Sequence, residues 1–168
     1  TKGLYLHGNF GCGKTYILSA CFNEMKKRGF RTKVVYLPEL LRTIKGDFEA
    51  MNDIMDELCH VDLLLIDDIQ FVESKNRTME EIFHTFDALY NKNKQIVITS
   101  DRAPKDIPTL PDRLRTRFEM GIVVDITPPD YETRVAILTN LAEQMGLNVP
   151  FAVYDYIAKN FESNVREL

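Results

Sequence analysis

Residues 8 to 16, GNFGCGKTY, set glycines, a lysine and a threonine at the spacing G-x-x-x-x-G-K-[ST]. Gly8, Gly11 and Gly13 let backbone N–H groups curl around phosphate oxygens, and the positive end of a following helix adds to that pull. Asn9, Phe10, Cys12 and Tyr16 belong to the same phosphate-cradling stretch. Lys14 supplies a point charge for the terminal phosphates, and Thr15 a hydroxyl for magnesium. The motif needs a strand before it and a helix after it. The run GLYLH (3 to 7) and the pattern from Thr15 to Arg28 meet that need. Cys12, inside a glycine loop, reads as a tolerated small residue and not as a nucleophile.

A phosphate cradle of this kind needs a carboxylate at the end of a nearby strand. The run DLLLIDD (62 to 68) provides two. Asp67 is expected to hold Mg²⁺ through water, and Asp68 to polarise an attacking water. The next extended run ends in ITSD, where Thr99 and Asp101 are candidates for sensing a γ-phosphate. The stretch DRLRTRF then carries Arg113, Arg115 and Arg117. Only Arg113 and Arg117 share one helical face. Such arginines can complete a neighbour's site by stabilising transition-state charge, or they can form a plain basic surface.

These residues need elements to place them. Extended runs at 3–7, 32–37, 62–67, 95–100 and 121–126 alternate with helical patterns, which predicts an α/β fold with a parallel sheet. DLLLID is continuously apolar, as a strand buried on both faces requires. FEAMNDIMDELC (48 to 59) reads as a helix with Phe48, Met51, Ile54, Met55 and Leu58 on one face. Thr78 and Glu81 have capping-box spacing and predict a helix start there, with Met79, Ile82, Phe83, Phe86 and Leu89 as its buried stripe. Pro38 opens a short helical piece, and 108–118 reads as a Pro-opened short helix. After TPPD only helical patterns remain: Tyr131–Met145, Pro150–Asn160 and one starting at Ser163. The expected division is an α/β domain over 1–127 and a partial helical lid over 128–168.

The chain has 168 residues, 45% hydrophobic, with a net charge of −4. That length suits one domain with a full core, or one domain and part of a second. The negative balance excludes a global basic field, so any nucleic-acid contact needs a local patch. No apolar run approaches the roughly 20 residues that span a bilayer. Cys12, Cys21 and Cys59 make neither a disulfide framework nor a zinc spacing, which fits a reducing, cytoplasmic setting. The first residue opens a strand and the last lies in a helix-like segment, as expected of a domain excised from a longer chain.

From about residue 61 to the end, the motifs HTF, SDRAP, DRLRTRF and PPDYETR resemble the AAA+ domain of the bacterial replication initiator family DnaA. The front, KGLYLHGNFGCGKTYILSA and VVYLPELLRTIKGDF, is similar to the helicase-loader family DnaI/DnaC. Both are AAA+ ATPases. The resemblance implies that Lys14 and Thr15 are the Walker A pair and Asp67 and Asp68 the Walker B pair. It implies that Asp101 is sensor 1 and Arg117 the arginine finger. Lys75 and Arg77 fall in a loop that, in the initiator family, can touch single-stranded DNA. The family also carries an initiator-specific helix pair before the Walker B strand. Here residues 38 to 60 hold Glu39, Asp47, Glu49, Asp53, Asp56 and Glu57 in that place, which argues against DNA contact by that segment. The chain stops before the family's sensor 2 arginine, so the lid is expected to be incomplete.

The expected function is that of an ATP- and ADP-binding, Mg²⁺-dependent AAA+ domain of a replication initiator. ATP acts mainly as an assembly switch, with self-association, weak assembly-dependent hydrolysis and association with origin DNA through the parent protein. The alternative is a helicase loader partnered with a replicative helicase. A second alternative is a nucleotide-binding interaction module without turnover, against which the intact GKT and IDD speak.

Overall fold

The computed structural model describes residues 3–44, 47–162 and 164–165. Two compact units emerge. One holds the first strand together with Lys14–Asp125, and the other holds Gly8–Gly13 together with the chain from Ile126 onward.

In the first unit, five strands among the described residues form a single parallel sheet. They are β1 (Leu4–His7), β2 (Thr32–Tyr36), β3 (Leu63–Asp67), β4 (Gln95–Ser100) and β5 (Ile122–Asp125), in the order β2-β3-β4-β1-β5. Every ladder is parallel, so all strands deliver their carboxyl ends to one edge. Ile66 pairs with Ile98 and Leu6 with Thr99, which brings the ends of β3, β4 and β1 level. Residues 63–67 are all buried, as the apolar run 63–66 requires, and Asp67 is buried with them.

Side chains alternate across the sheet. Tyr5, Leu64, Ile66, Ile96 and Ile98 face one core. It also holds Met51, Met55 and Leu58 of α3 (Phe48–Leu58) and Met79, Ile82, Phe86 and Leu89 of α4 (Asn76–Asn91). Leu114 and Phe118 of α5 (Asp112–Glu119) belong to it too. Each such side chain contributes about 1.5–3 kcal/mol when fully buried. Helix α1 (Lys14–Lys27) packs against β2, β3 and β4 and buries Leu18.

Several boundaries differ from the sequence-based expectation. Helix α4 starts at Asn76, not at Thr78. The chain enters it through Ser74, whose φ of 62° ends the preceding turn, and Met79 N donates to Lys75 O at 2.9 Å. Thr78 is therefore buried in the first turn and does not cap it. The expected Pro-opened helix over 108–118 begins only at Asp112. Thr109, at φ 60°, turns the chain first, and Pro111 is the N-cap. Between β2 and β3 the acidic segment forms two helices, α2 (Leu37–Ile44) and α3. One of its carboxylates serves the fold itself. Asp47 caps α3, accepting from Glu49 N and Ala50 N at 3.1 and 3.2 Å. The side chain of Phe48 and the helix start expected at Ser163 lie outside the described residues.

Away from the strand carboxyl ends, Asp62 staples the loop before β3. It accepts from Arg31 Nε and Nη2 at 3.2 Å and from Lys94 Nζ at 2.7 Å. The Arg31 guanidinium, then the Lys94 ammonium, hold its carboxyl well below the ordinary carboxylate range. A depressed folded-state value stabilises the fold above the unfolded value of about 4, and the contribution is lost as pH falls. Asp62→Asn is expected to lower stability at pH 7, with the gap to the parent closing as the pH falls below about 4. Denaturant unfolding of both proteins at pH 7 and pH 3 measures this; an equal gap at both pH values would show that the carboxylate charge is not the cause.

In the second unit, α6 (Tyr131–Gln144) packs on α7 (Phe151–Asn160). Asp130 caps α6 by accepting from Thr133 N at 2.8 Å. Arg134 is buried and satisfied by carbonyls, donating from Nε to Ala158 O and from Nη1 to Pro129 O, both at 2.8 Å. That pairing offsets the cost of burying its charge and ties α6 to the end of α7. No helix among the described residues is long and apolar enough to cross a membrane.

Candidate nucleotide site

The glycine stretch lies in the second unit. Gly11 has φ 79° and Gly13 φ 96°, values at which a side chain is strained. A Cβ on Gly11 would also run into the side chain of Asn164. The loop is held by Val165 N donating to Gly11 O at 3.0 Å and by Cys12 N donating to Asn9 O at 3.4 Å. Phe10 is exposed and Cys12 buried.

In the first unit, Lys14 opens α1 and is buried, while Thr15 and Tyr16 stand exposed beside it. Thr15 Oγ1 donates to Asp67 Oδ2 at 2.8 Å, a contact that joins the head of α1 to the end of β3. The other carboxylate oxygen, Asp67 Oδ1, accepts from Thr99 Oγ1. Thr99 is fully buried at the end of β4, and its hydroxyl in turn accepts from Asp68 N at 3.0 Å. One threonine thus braces both acidic residues.

Asp68 sits at φ 60°, ψ 51°, a left-handed conformation that is uncommon for any residue but glycine. Its Oδ1 accepts from Gln70 Nε2 at 3.1 Å, and Gln70 Oε1 accepts from Asp101 N at 3.3 Å. The amide of Gln70 therefore fastens Asp68 to the turn after β4. The Asp101 carboxylate points instead to Arg102, accepting from Nε at 2.7 Å and Nη2 at 2.8 Å. Tyr5 supports that turn by donating to Arg102 O at 3.1 Å, and burial pushes its phenol up from its ordinary value.

Of the residues singled out from the sequence, Thr15 and Asp67 meet directly. Asp68 and Asp101 are linked through Gln70, and Thr99 is the strand-end residue that touches Asp67. Lys75 and Arg77 are exposed at the start of α4. Arg117 lies against α4, with Nε 2.7 Å from Asp87 Oδ1. Sequence reasoning missed Gln70 and Asp87. Glutamine and aspartate at such positions are ordinary surface types, and only their partners give them meaning.

The donor set is one of hard oxygens: a hydroxyl and a buried carboxylate in contact. That chemistry fits Mg²⁺, which is commonly bound by one or two carboxylates with waters and phosphates. Among the described residues no cluster of three or more His, Cys, Asp or Glu offers an all-protein cage.

The likeness to known proteins runs along nearly the whole chain. The family described as the bacterial DnaA ATPase domain matches residues 2–125, so the likeness includes the front segment. The chromosomal replication initiator protein DnaA of Caldanaerobacter subterraneus subsp. tengcongensis is 48% identical over 98% of this chain. The chain spans 38% of that relative's length. The structure of the replication initiator DnaA bound to AMPPCP and single-stranded DNA superposes with a TM-score of 0.89 at 38% identity, covering 99% of this chain and 52% of that one. The likeness to the crystal structure of DnaI is looser, with a TM-score of 0.64 at 30% identity over 77% of this chain and 72% of the other. A five-stranded parallel sheet, a glycine loop before α1 and an acidic strand end braced by a threonine thus belong to a chain that is a member of the bacterial DnaA ATPase-domain family.

Proposed function

We propose that the chain is the ATP-dependent switch of a chromosomal replication initiator, binding ATP or ADP with Mg²⁺ and associating with further copies in the ATP state. The Thr15–Asp67 contact carries this reading, because it joins a Walker A hydroxyl to a Walker B carboxylate in an oxygen pair suited to Mg²⁺. When bound, Mg²⁺ would neutralise charge on the β- and γ-phosphates. The backbone of Gly8–Gly13 and the Lys14 ammonium would hold the phosphates. Thr15 and Asp67 would hold the metal, and Thr99 would keep Asp67 oriented. Asp68, fixed by Gln70, would orient water. Arg117 would act on the nucleotide of a neighbouring copy. The AMPPCP-bound DnaA relative supports the nucleotide assignment.

The single-stranded DNA in that relative supports a DNA contact here as well. Lys75 and Arg77 are exposed at one helix start in a chain of net charge −4. They are the local cations that such a chain needs for phosphate contact. The looser likeness to DnaI makes a helicase-loader role the weaker reading.

Titration with ATP and ADP in magnesium, followed by sedimentation with each, tests the switch. Association that is equal with both nucleotides, or absence of binding, would sink it. The division of labour at the acidic pair has its own expected outcome. Asp68→Asn should keep ATP binding and lower turnover, because Asp68 orients water and does not hold phosphate. Asp67→Asn should weaken the magnesium-dependent part of binding. Two mutants that behave alike in both measurements would overturn that division.

A further inference from the structure

Helix α4 carries an acid followed three residues later by an aromatic ring, and repeats the pair seven residues on: Glu80 with Phe83, then Asp87 with Tyr90. Helix α5 carries its two same-face arginines four residues apart. The pairs meet in order. Arg113 Nη2 lies 3.5 Å from Glu80 Oε1, and its guanidinium carbon is 4.6 Å from the Phe83 ring centre. Arg117 Nε lies 2.7 Å from Asp87 Oδ1, with its guanidinium carbon 5.6 Å from the Tyr90 ring centre. The second cradle is the tighter ion pair. Asp87 Oδ1 and Arg117 Nε are both shut off from solvent, and their contact is ionic, short but off the hydrogen-bond line. Arg117 Nη1 reaches Met120 Sδ at 3.4 Å. With Nε and Nη1 so engaged, Nη2 is the guanidinium nitrogen with no hydrogen-bond contact among the described residues, on a side chain still 31% exposed.

From this geometry we infer that Asp87 is a positioning residue that presents Arg117 to an anionic group of a neighbouring copy. The inference rests on the proposed switch, in which that group is the terminal phosphate of bound ATP. Arginine has much rotamer freedom to lose on binding, and a side chain ordered in advance loses less of it when the contact forms. Asp87 holds the guanidinium at Nε and Tyr90 backs its face, so the side chain is ordered before a partner arrives. The opposite role, a carboxylate that competes with phosphate for Arg117, predicts the opposite sign.

The test is ATP-dependent association of the full-length protein, read by sedimentation velocity, with ATP affinity and melting temperature recorded for each variant. Asp87→Ala, and Asp87→Leu beside it in case the smaller residue unfolds the helix pair, should leave ATP affinity unchanged. Both should weaken association by about tenfold, the scale of one lost contact to a charged group. Asp87→Glu, which keeps a carboxylate beside Arg117, should restore most of it, which a mere loss of stability would not explain. Association at or above the parent level in Asp87→Ala, or no recovery in Asp87→Glu, overturns the inference. Arg117→Ala is the control that separates the two readings. If it associates normally, the finger itself is wrong and the inference falls with it. If it fails to associate while Asp87→Ala succeeds, only the positioning role falls.

Discussion

Lys14→Ala is expected to weaken ATP binding by about 2 kcal/mol or more, roughly a 30-fold loss, the scale of charge-assisted hydrogen bonds to phosphate. Lys14 is the first residue of α1 and is buried. A cation at a helix N-terminus opposes the macrodipole, which favours anions there by about 0.3–1 kcal/mol. Helix stability therefore does not account for a lysine at this position. A bound phosphate would, because it would be attracted by the ammonium and by the helix end together. The two effects separate in experiment. Isothermal titration with ATP and magnesium should show the large loss of affinity. The melting temperature without nucleotide should move by far less than the binding loss implies. Equal ATP affinity in mutant and parent would remove the phosphate-binding assignment of the loop.

The second large effect is expected at Arg117. Arg117→Ala should leave the ATP affinity of the single copy nearly unchanged and abolish association driven by ATP, since the charge-assisted pair across copies would be gone. The alanine variant also strands Asp87, whose partner is removed. Asp87 Oδ1 is shut off from solvent, so the destabilisation is expected on the scale of a buried acceptor left without its partner, about 1–3 kcal/mol. Arg117→Lys isolates the finger from this side effect. Lysine keeps the charge beside Asp87 but lacks the planar fork that reaches carboxylate on one edge and phosphate on the other. It should fold like the parent and still associate poorly. Sedimentation with ATP and with ADP measures both variants. An Arg117→Ala protein that assembles with ATP would favour a plain basic surface on α5.

Legibility in the sequence followed the range of the interactions. The glycine loop, Lys14 and Thr15 form one contiguous stretch whose residue types are set by backbone conformation and charge, so spacing alone exposes them. The run at 63–67 declares a strand buried on both faces, and the acids after it must then stand at a carboxyl end. Strand and helix alternation implies the parallel sheet, because parallel neighbours need crossovers. Element starts were less legible. Thr78 looks like a cap by spacing, yet tertiary packing takes its side chain inward, and after the turn at Ser74 the helix begins earlier, at Asn76.

What only the tertiary structure decided lies in pairs about 30 residues apart. Thr99 and Asp101 are both polar strand-end residues, and the sequence cannot choose between them. The register of β3 against β4 puts the Thr99 hydroxyl on Asp67 and turns the Asp101 carboxylate to Arg102. Gln70 and Asp87 are ordinary types until the fold sets one against Asp101 and the other against Arg117. The loop Gly8–Gly13, continuous in sequence with Lys14, groups with the residues after Ile126 and not with the sheet. A local pattern records the conformation its own backbone needs; it does not record which distant side chain will satisfy a hydroxyl or a carboxylate. That choice is made when packing brings the elements together, because a buried polar group must be paired and the fold determines the partners within reach.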